Sequence, residues 1–235
     1  MTRREFIGVG TGGAIGSVVA QPIRGSLGGR LYFSDGKDKP FDSQVEYLES
    51  TGTQWLDTGV YVTSDCLFDF AVAKTRSNYN CVFFGTRNSG NSASNNLQCY
   101  LNANDTSTTV DFAKITLFTT STLSSSNWTS GIFPKINQMY EFVGAYCVPT
   151  MQRSIQTMPL FAFKNVNIFN TANCACRIGR WRMYTRYEVI SDLYPVRFTN
   201  QNGEVEGAMY DAVTGRLLCN LGTGAFVIGR DVEGA

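Results

Sequence analysis

The sequence predicts an all-β fold in which two antiparallel sheets pack face to face, and three observations support this prediction. Short apolar stretches with alternating polar residues recur along the chain, separated by turn-forming residues. No long segment has the apolar spacing of a helix. Asn, Ser, Thr and Gly are abundant while charged residues make up only 17% of the chain, a bias that favours strands and turns. At 235 residues, one sandwich domain with a sizeable core is expected.

The expected strands follow one another from Val45 onward. They are the segments 54–59 (ending in a turn), 66–72, 81–85, 97–101, 110–118, 139–148, 160–166 and 177–187. Along the last of these, two sets of side chains alternate: Arg180, Arg182, Tyr184 and Arg186 on one face, and Gly179, Trp181, Met183 and Thr185 on the other. A period of two predicts a half-exposed strand.

The domain organisation predicted from composition has four parts. Residues 1–20 are an export signal, 21–42 a glycine-rich linker or edge segment, 43–230 the sandwich and 231–235 a tail. Without residues 1–20 the chain has 18 basic and 18 acidic residues. A balance of this kind gives no basic surface for nucleic acid and steers no charged partner.

The export signal is predicted from the order of its residues. Arg3 and Arg4 precede a charge-free stretch, 6–23, that contains five glycines and small residues ending at Ala20. The segment TRREFI is similar to the twin-arginine export motif. The alternatives are a membrane anchor and a chance arginine pair. A membrane anchor needs about 20 strongly apolar residues. The signal predicts a protein exported to the periplasm, the cell surface or the medium.

The seven cysteines are scattered and odd in number, at positions 66, 81, 99, 147, 174, 176 and 219. A disulfide framework uses an even number in a much shorter chain. Cys174 and Cys176 form the only close pair, and on a strand they point to the same face, which disfavours a bond between them. A thiolate metal site needs about four convergent cysteines. We therefore expect mostly buried core cysteines, with one or two later bridges as the alternative.

Catalytic machinery is sparse in this sequence. It has no histidine, which excludes Ser-His-Asp and Cys-His catalysis and imidazole metal sites. Glycanases on sandwich folds use carboxylates that alternate along one strand, and no such pattern occurs here. Glu46 and Glu49 point to opposite faces, and Glu204 and Glu206 share a face but lie in a turn-like stretch. The sequence therefore predicts no catalytic residues.

Two blocks of the sequence carry a family resemblance. The first is 45–59, VEYLESTGTQWLDTG, and the second comprises 177–184 (RIGRWRMY), 193–197 (LYPVR), 207–211 (GAMYD) and 220–226 (NLGTGAF). In order and spacing they resemble the laminin-G-like, concanavalin A-like jelly-roll domains of gut-bacterial secreted proteins and phage tail proteins. The resemblance spans about residues 43–230. It implies a two-sheet antiparallel jelly-roll sandwich and leaves function open, because this fold hosts lectins, adhesins, glycanases and structural domains.

Binding, unlike catalysis, needs only aromatic platforms and planar polar groups. The candidate ligand-binding residues are Trp128, Asn102, Asn104, Asp105, Arg180 and Arg182. Each also has a structural interpretation. Trp128 would cap the sandwich, the loop with Asn102, Asn104 and Asp105 would be a plain turn, and the two arginines would form a solvated strand face. No cofactor is expected apart from Ca²⁺, whose candidate ligands are Asp57 and Asp105; calcium takes six or more oxygens in all.

The function predicted is a non-catalytic binding module for carbohydrate or another cell-surface ligand, with no nucleic acid partner and no membrane span. A structural or adhesive module that acts through protein contact is the main alternative, and a divergent glycanase is the third. Two carboxylates that converge roughly 5–10 Å apart in a groove would favour the glycanase.

Overall fold

The computed structural model describes residues 21–22, 39–63, 66–76, 81–87, 97–101, 108–112, 115–119, 137, 139–146, 154, 156–165, 169–170 and 175–233. All regular elements in these residues are β-strands, which confirms the predicted all-β class. Over the same residues, no helix has the length and apolar character needed to cross a membrane. Arg3 and Arg4 of the predicted export signal lie outside the described residues.

The first nine strands in chain order are β1 (Gln21–Pro22), β2 (Ser43–Gln44), β3 (Leu48–Ser50), β4 (Leu56–Tyr61), β5 (Leu67–Lys74), β6 (Cys81–Arg87), β7 (Leu97–Leu101), β8 (Thr108–Phe112) and β9 (Ile115–Thr119). The other nine are β10 (Tyr140–Tyr146), β11 (Thr157–Leu160), β12 (Phe163–Asn165), β13 (Phe169–Asn170), β14 (Cys176–Tyr184), β15 (Val189–Thr199), β16 (Val205–Asp211), β17 (Arg216–Leu218) and β18 (Val227–Ile228).

The strands form two sheets. Sheet I has ten strands, with the path β1-β10-β5-β14-β15-β16-β17 and with β2, β3 and β18 attached to it. Sheet II has eight, with the path β13-β12-β6-β7-β8-β9 and with β11 and β4 attached to it. Every pairing between described strands is antiparallel except that of β12 with β6, which is parallel. Strands that are distant in sequence are thus neighbours in sheet I, with β5 beside β14.

The predicted strand positions agree with the structure except at four segments. One of them, 177–187, ends as a strand at Tyr184, so Thr185 and Arg186 lie in the turn that follows it. Segment 97–101 is β7, as predicted. Segment 110–118 divides into β8 and β9, which pair as a hairpin. Segment 54–59 does not end in a turn, because β4 continues to Tyr61. Segment 160–166 breaks after β11, where Phe161 has a left-handed backbone (φ 59°).

The core lies between the inner faces of the two sheets. Phe84 of β6 packs against Phe70 of β5 and Trp181 of β14, with ring centroids 5.0 Å and 6.0 Å apart. Phe84 and Trp181 are both fully buried. Burial of an aromatic or aliphatic side chain of this kind contributes about 1.5–3 kcal/mol to stability. The alternating apolar residues predicted from the sequence are the ones that hold the sheets together.

Segments from early and late in the described chain are joined by hydrogen bonds. Leu221 N donates to Trp55 O at 2.8 Å, and Gly229 N donates to Tyr47 O at 2.9 Å. The hydroxyl of Thr53 donates to the carbonyl of Thr223 at 2.8 Å. Segments 45–59 and 220–226 therefore lie against each other, so both blocks of the family resemblance meet at one seam.

The five described cysteines differ in burial. Cys66, Cys81, Cys99 and Cys176 are buried, whereas Cys219 is exposed. The expectation of core cysteines is confirmed for those four and is wrong for Cys219, which lies just beyond the last paired residue of β17. Cys147 and Cys174 lie outside the described residues.

Candidate functional site

The outer face of sheet I, which is turned away from sheet II, carries a row of polar side chains along β14. Trp181 and Met183 are fully buried in the core, while Arg180, Arg182 and Tyr184 are half-buried on the opposite face. The alternation predicted for this strand is thus confirmed at these positions. It is wrong at Gly179, because the register shifts between Ile178 and Trp181.

The contacts around Gly179 show which face of the sheet it lies on. A Cβ at this position would lie 3.2 Å from the Cβ of Ala71 and 3.1 Å from Cε of Met139. Ala71 follows the core residue Phe70 on β5 and faces outward. Gly179 therefore lies on the outer face beside Arg180, as expected for a β-bulge, in which two residues oppose one.

Arg180 is held by Asp192 of the neighbouring strand β15. Its Nε and Nη2 donate to the two carboxylate oxygens of Asp192 at 3.0 Å and 2.8 Å. The guanidinium carbon lies 4.9 Å from the ring centroid of Tyr194, whose hydroxyl donates to Asp192 at 3.3 Å. Burial acts to lower the pKa of Arg180, but the hydrogen bonds and charge of Asp192 outweigh it and raise that pKa. The guanidinium is therefore charged and fixed in orientation.

Arg182 lies between two carboxylates on either side of β14. Its Nε is 3.3 Å from Asp192 and its Nη1 is 4.0 Å from Asp69 of β5. The hydroxyl of Tyr184 donates to Asp69 at 3.0 Å. Burial, together with the charge and hydrogen bond of Asp69, raises the pKa of Tyr184 to about 12. The phenol therefore stays protonated at neutral pH.

Glu141 of β10 completes the cluster on the far side of β5. It is the register partner of Ala71, so it is diagonal to Asp69 on the same face, at roughly 7–8 Å between Cα atoms. Burial raises the pKa of Glu141, the charge of Asp69 raises it further, and Arg180 opposes the rise. We call the seven side chains the outer-face cluster; they are Asp69, Glu141, Arg180, Arg182, Tyr184, Asp192 and Tyr194.

Two further arginine–tyrosine pairs continue the row at its ends. Arg177 lies over the ring of Tyr47 at 4.4 Å, and its Nε is 2.7 Å from Glu49. Arg186 lies 5.4 Å from the ring centroid of Tyr187 in the turn after β14. Tyr187 is 82% exposed, which makes it the most open aromatic ring of the described residues.

The calcium candidate Asp57 lies outside this cluster, on β4 of sheet II. Its Oδ1 accepts a hydrogen bond from Gly59 N at 2.9 Å and its Oδ2 one from the hydroxyl of Thr157 at 2.6 Å. Both oxygens thus have a structural role in β4 and β11. In the described residues, no three Cys, Asp or Glu side chains are grouped so that they could hold a metal ion.

Of the predicted binding residues, Arg180 and Arg182 come together in the cluster. Trp128, Asn102, Asn104 and Asp105 lie outside the described residues. Glu204 and Glu206, which the sequence predicts to lie in a turn-like stretch, both accept hydrogen bonds from the side-chain amide of Asn200, the residue that follows β15.

Sequence reasoning missed the carboxylates and rings that surround the two arginines. A signal for them existed: Asp69 is a single acid flanked by the core residues Phe68 and Phe70, so strand alternation alone assigns it to the outer face. Asp192 likewise precedes the core residue Leu193. What the sequence did not reveal is that β5 and β15 are the neighbours of β14.

The cluster offers several kinds of contact to a ligand at one place. The guanidiniums can donate, with the plane of Arg180 fixed by Asp192, the carboxylates accept, and the tyrosines present ring faces. Three carboxylates outnumber two guanidiniums, so the cluster has no positive excess. Such a surface is suited to a ligand that has hydroxyl groups and no net charge.

The sequence and fold were compared with known proteins. No family model matches the chain, and no curated protein or solved structure matches it either.

Proposed function

We propose that this chain is an exported, non-catalytic module that binds carbohydrate through the outer-face cluster of sheet I. The observation that carries the proposal is the fixed Arg180–Asp192 pair, with Arg182 and Asp69 beside it. Sugar hydroxyls both donate and accept, so they pair with arginine and carboxylate groups held side by side. Orientation is set in advance by the strands, which lowers the entropic cost of binding.

A finer description of the fold belongs to the same proposal. The two sheets form a concanavalin A-like jelly roll of the laminin-G-like kind. Support comes from the inter-sheet core of Phe84 and Trp181 and from the seam that joins 45–59 to 220–226. A fold of this kind hosts many different binding functions, so a binding surface on its outer face is compatible with it.

Export is proposed from the twin-arginine-like segment at Arg3 and Arg4. We expect the double variant Arg3→Lys, Arg4→Lys to accumulate in the cytoplasm, because the export machinery reads the arginine pair. Normal export of that variant would refute the assignment.

The decisive experiment for binding is a glycan array probed with the purified chain, with calcium and again with chelator. A specific hit that is lost in Arg180→Ala but kept in Arg197→Ala is expected. Arg197 is a matched control, since it also pairs with an aspartate, Asp231, at 2.9 Å, outside the cluster. Loss of the signal in chelator would show that a metal ion takes part in binding.

A blank array in both conditions would favour the adhesive alternative, a module that acts by protein contact. Trp128 is tested in the same format. If it is part of the site, Trp128→Ala weakens glycan retention without lowering the melting temperature. Unchanged retention would remove this residue from the site.

Glycan hydrolysis is a second candidate, and one observation favours it. Glu141 and Asp69 are carboxylates on neighbouring strands of one face, and the pKa of Glu141 is raised by burial and by Asp69. A carboxyl that keeps its proton can act as a general acid beside an ionised partner. Release of reducing ends from a bound polysaccharide, abolished in Glu141→Gln, would replace the non-catalytic proposal. Intact polysaccharide after prolonged incubation would leave it standing.

A further inference from the structure

Arginine–tyrosine pairs recur along β14 and into the turn that follows it. From one end of β14 to the turn beyond it, the pairs are Arg177 with Tyr47, Arg180 with Tyr194, Arg182 with Tyr184, and Arg186 with Tyr187. At about 3.3 Å per strand residue, the distance from Arg177 to Tyr184 is roughly 23 Å. A single sugar covers only part of such a row.

The charges along this row cancel. Arg177 pairs with Glu49 at 2.7 Å, Arg180 with Asp192 at 2.8 Å, and Arg182 lies between Asp192 and Asp69. Glu141 adds a further carboxyl beside Asp69. An acidic ligand would have to displace a carboxylate from its arginine, and it would meet the remaining carboxylates at close range.

The row is neither fully buried nor fully open. The side chains of Arg177, Arg180 and Arg182 are 20%, 26% and 32% exposed, and Tyr187 at the end of the row is 82% exposed. The central groups are held in place by their neighbours, whereas the end ring is accessible from the solvent. This distribution fits a ligand that binds to the central groups and contacts the exposed ring of Tyr187 at one end.

We infer that the ligand is an uncharged glycan chain of several sugar units that lies along β14, from the Arg177–Tyr47 pair to Tyr187. This inference rests on the proposed function and adds to it the charge, length and direction of the ligand. Affinity then comes from contacts repeated along the glycan, so it grows with the number of sugar units until the row is filled.

The first test compares immobilised polysaccharides of the two charge classes. The probes are neutral glucans, xylans, mannans and galactans, and the acidic polymers polygalacturonate, hyaluronan and heparin. Retention of a neutral polymer and not of the acidic ones is expected at physiological salt. Retention of an acidic polymer through Arg180 would overturn the inference while it upholds glycan binding. No retention of any probe would refute the proposed function itself.

The second test uses size-fractionated oligosaccharides prepared from the polymer that is retained. We expect the dissociation constant to fall by about tenfold between the disaccharide and the longest fragment that fills the row. A disaccharide that binds as tightly as the polymer would contradict an extended site. It would show instead that the binding site is compact.

Variants at the two ends of the row assign its direction. Tyr187→Ala removes an exposed ring that supports no core packing, so folding should be unaffected. We expect several-fold weaker binding of the longest oligosaccharide and unchanged binding of the disaccharide; Tyr61→Ala, on β4 of sheet II, is the control. Equal losses at every length, or no loss with either Tyr187→Ala or Arg177→Ala, would refute a chain lying along β14.

Discussion

Arg180 holds Asp192 with two parallel hydrogen bonds across β14 and β15, from Nε to Oδ1 at 3.0 Å and from Nη2 to Oδ2 at 2.8 Å. The guanidinium plane is also held by the ring of Tyr194, whose centroid is 4.9 Å from its central carbon. A planar fork that meets a carboxylate in this way fixes direction as well as charge. The geometry of the outer-face cluster therefore depends on arginine and not merely on a positive charge.

The first prediction follows from that dependence. Arg180→Lys keeps the charge and loses the fork, so we expect the free energy of unfolding to fall by about 1–3 kcal/mol in a urea titration. Arg197→Lys is the matched control, because its pair with Asp231 is 43% and 47% exposed and exposed pairs contribute about 0–1 kcal/mol. Equal losses in the two variants would contradict a special role for the fork.

The second prediction concerns pH and Glu141. Burial raises the pKa of its carboxyl, with Asp69 adding to the rise and Arg180 opposing it. The folded protein thus binds this proton more tightly than the unfolded chain, so the ionised carboxylate lowers stability at neutral pH. Glu141→Gln should raise the melting temperature at pH 7.

The same thermodynamic linkage sets the pH below which the gain in melting temperature disappears. As the pH falls through the raised pKa and below the ordinary carboxyl value of 4.5, the wild-type carboxyl becomes protonated in both states and the gain should vanish. Melting curves from pH 4 to pH 8 measure this. Glu188→Gln, on the exposed turn after β14, controls for the loss of one negative charge. A gain that is constant across the pH range would contradict the assignment.

The local part of this structure could be predicted from the sequence. The period of two around Trp181 and Met183 assigned Arg180 and Arg182 to one face, because alternation depends only on neighbouring residues in the chain. The turn after β16 was also predictable, since the carboxylate of Asp211 accepts Val213 N and the hydroxyl of Thr214.

The partners of those arginines could not be predicted in the same way. Asp69 and Asp192 reach Arg182 only because β5 and β15 flank β14, and that order is set by packing over the whole sandwich. A search for catalytic carboxylates along one strand likewise missed Glu141 and Asp69, which come from different strands. Phe161 shows a third limit, since a left-handed backbone at a bulky residue has no local signal.

The third prediction tests the seam between the ends of the sandwich. A Cβ at Gly222 would lie 1.9 Å from the carbonyl oxygen of Thr53, which is backbone and has little freedom to move. Gly222→Ala should therefore cost about 1–3 kcal/mol or more. Gly203→Asn is the control: its φ is +82° with open space around it, and Asn tolerates that region. An unchanged free energy of unfolding in Gly222→Ala would mean that the backbone at the seam moves apart at little cost.

The fourth prediction concerns thiol reactivity. Cys219 is exposed, whereas Cys66, Cys81, Cys99 and Cys176 are buried. Burial, with Glu206 adding to its effect, raises the pKa of the Cys219 thiol, so its labelling by a thiol reagent should be slow at pH 7 and faster as the pH rises. Peptide mapping of the native chain should find Cys219 labelled before those four. Early labelling of any buried one would contradict the packing of the core.

The last prediction separates packing from hydrogen bonding at the centre of the sandwich. Trp181 is fully buried, with its ring 5.7 Å from Phe68 of its own sheet and 6.0 Å from Phe84 of the other. Among the described residues its indole nitrogen has no hydrogen-bond partner. Trp181→Ala should cost about 3–5 kcal/mol, because it opens a cavity between the sheets.

Trp181→Phe should cost much less than Trp181→Ala. It keeps an aromatic ring in place and removes an unsatisfied N–H, whose burial costs about 1–3 kcal/mol. The smaller volume of phenylalanine offsets part of that gain. Chemical denaturation of both variants against the wild type measures the difference. Equal destabilisation would mean that the indole N–H contributes a bond to the fold, and the core would then depend on polar contacts as well as on packing.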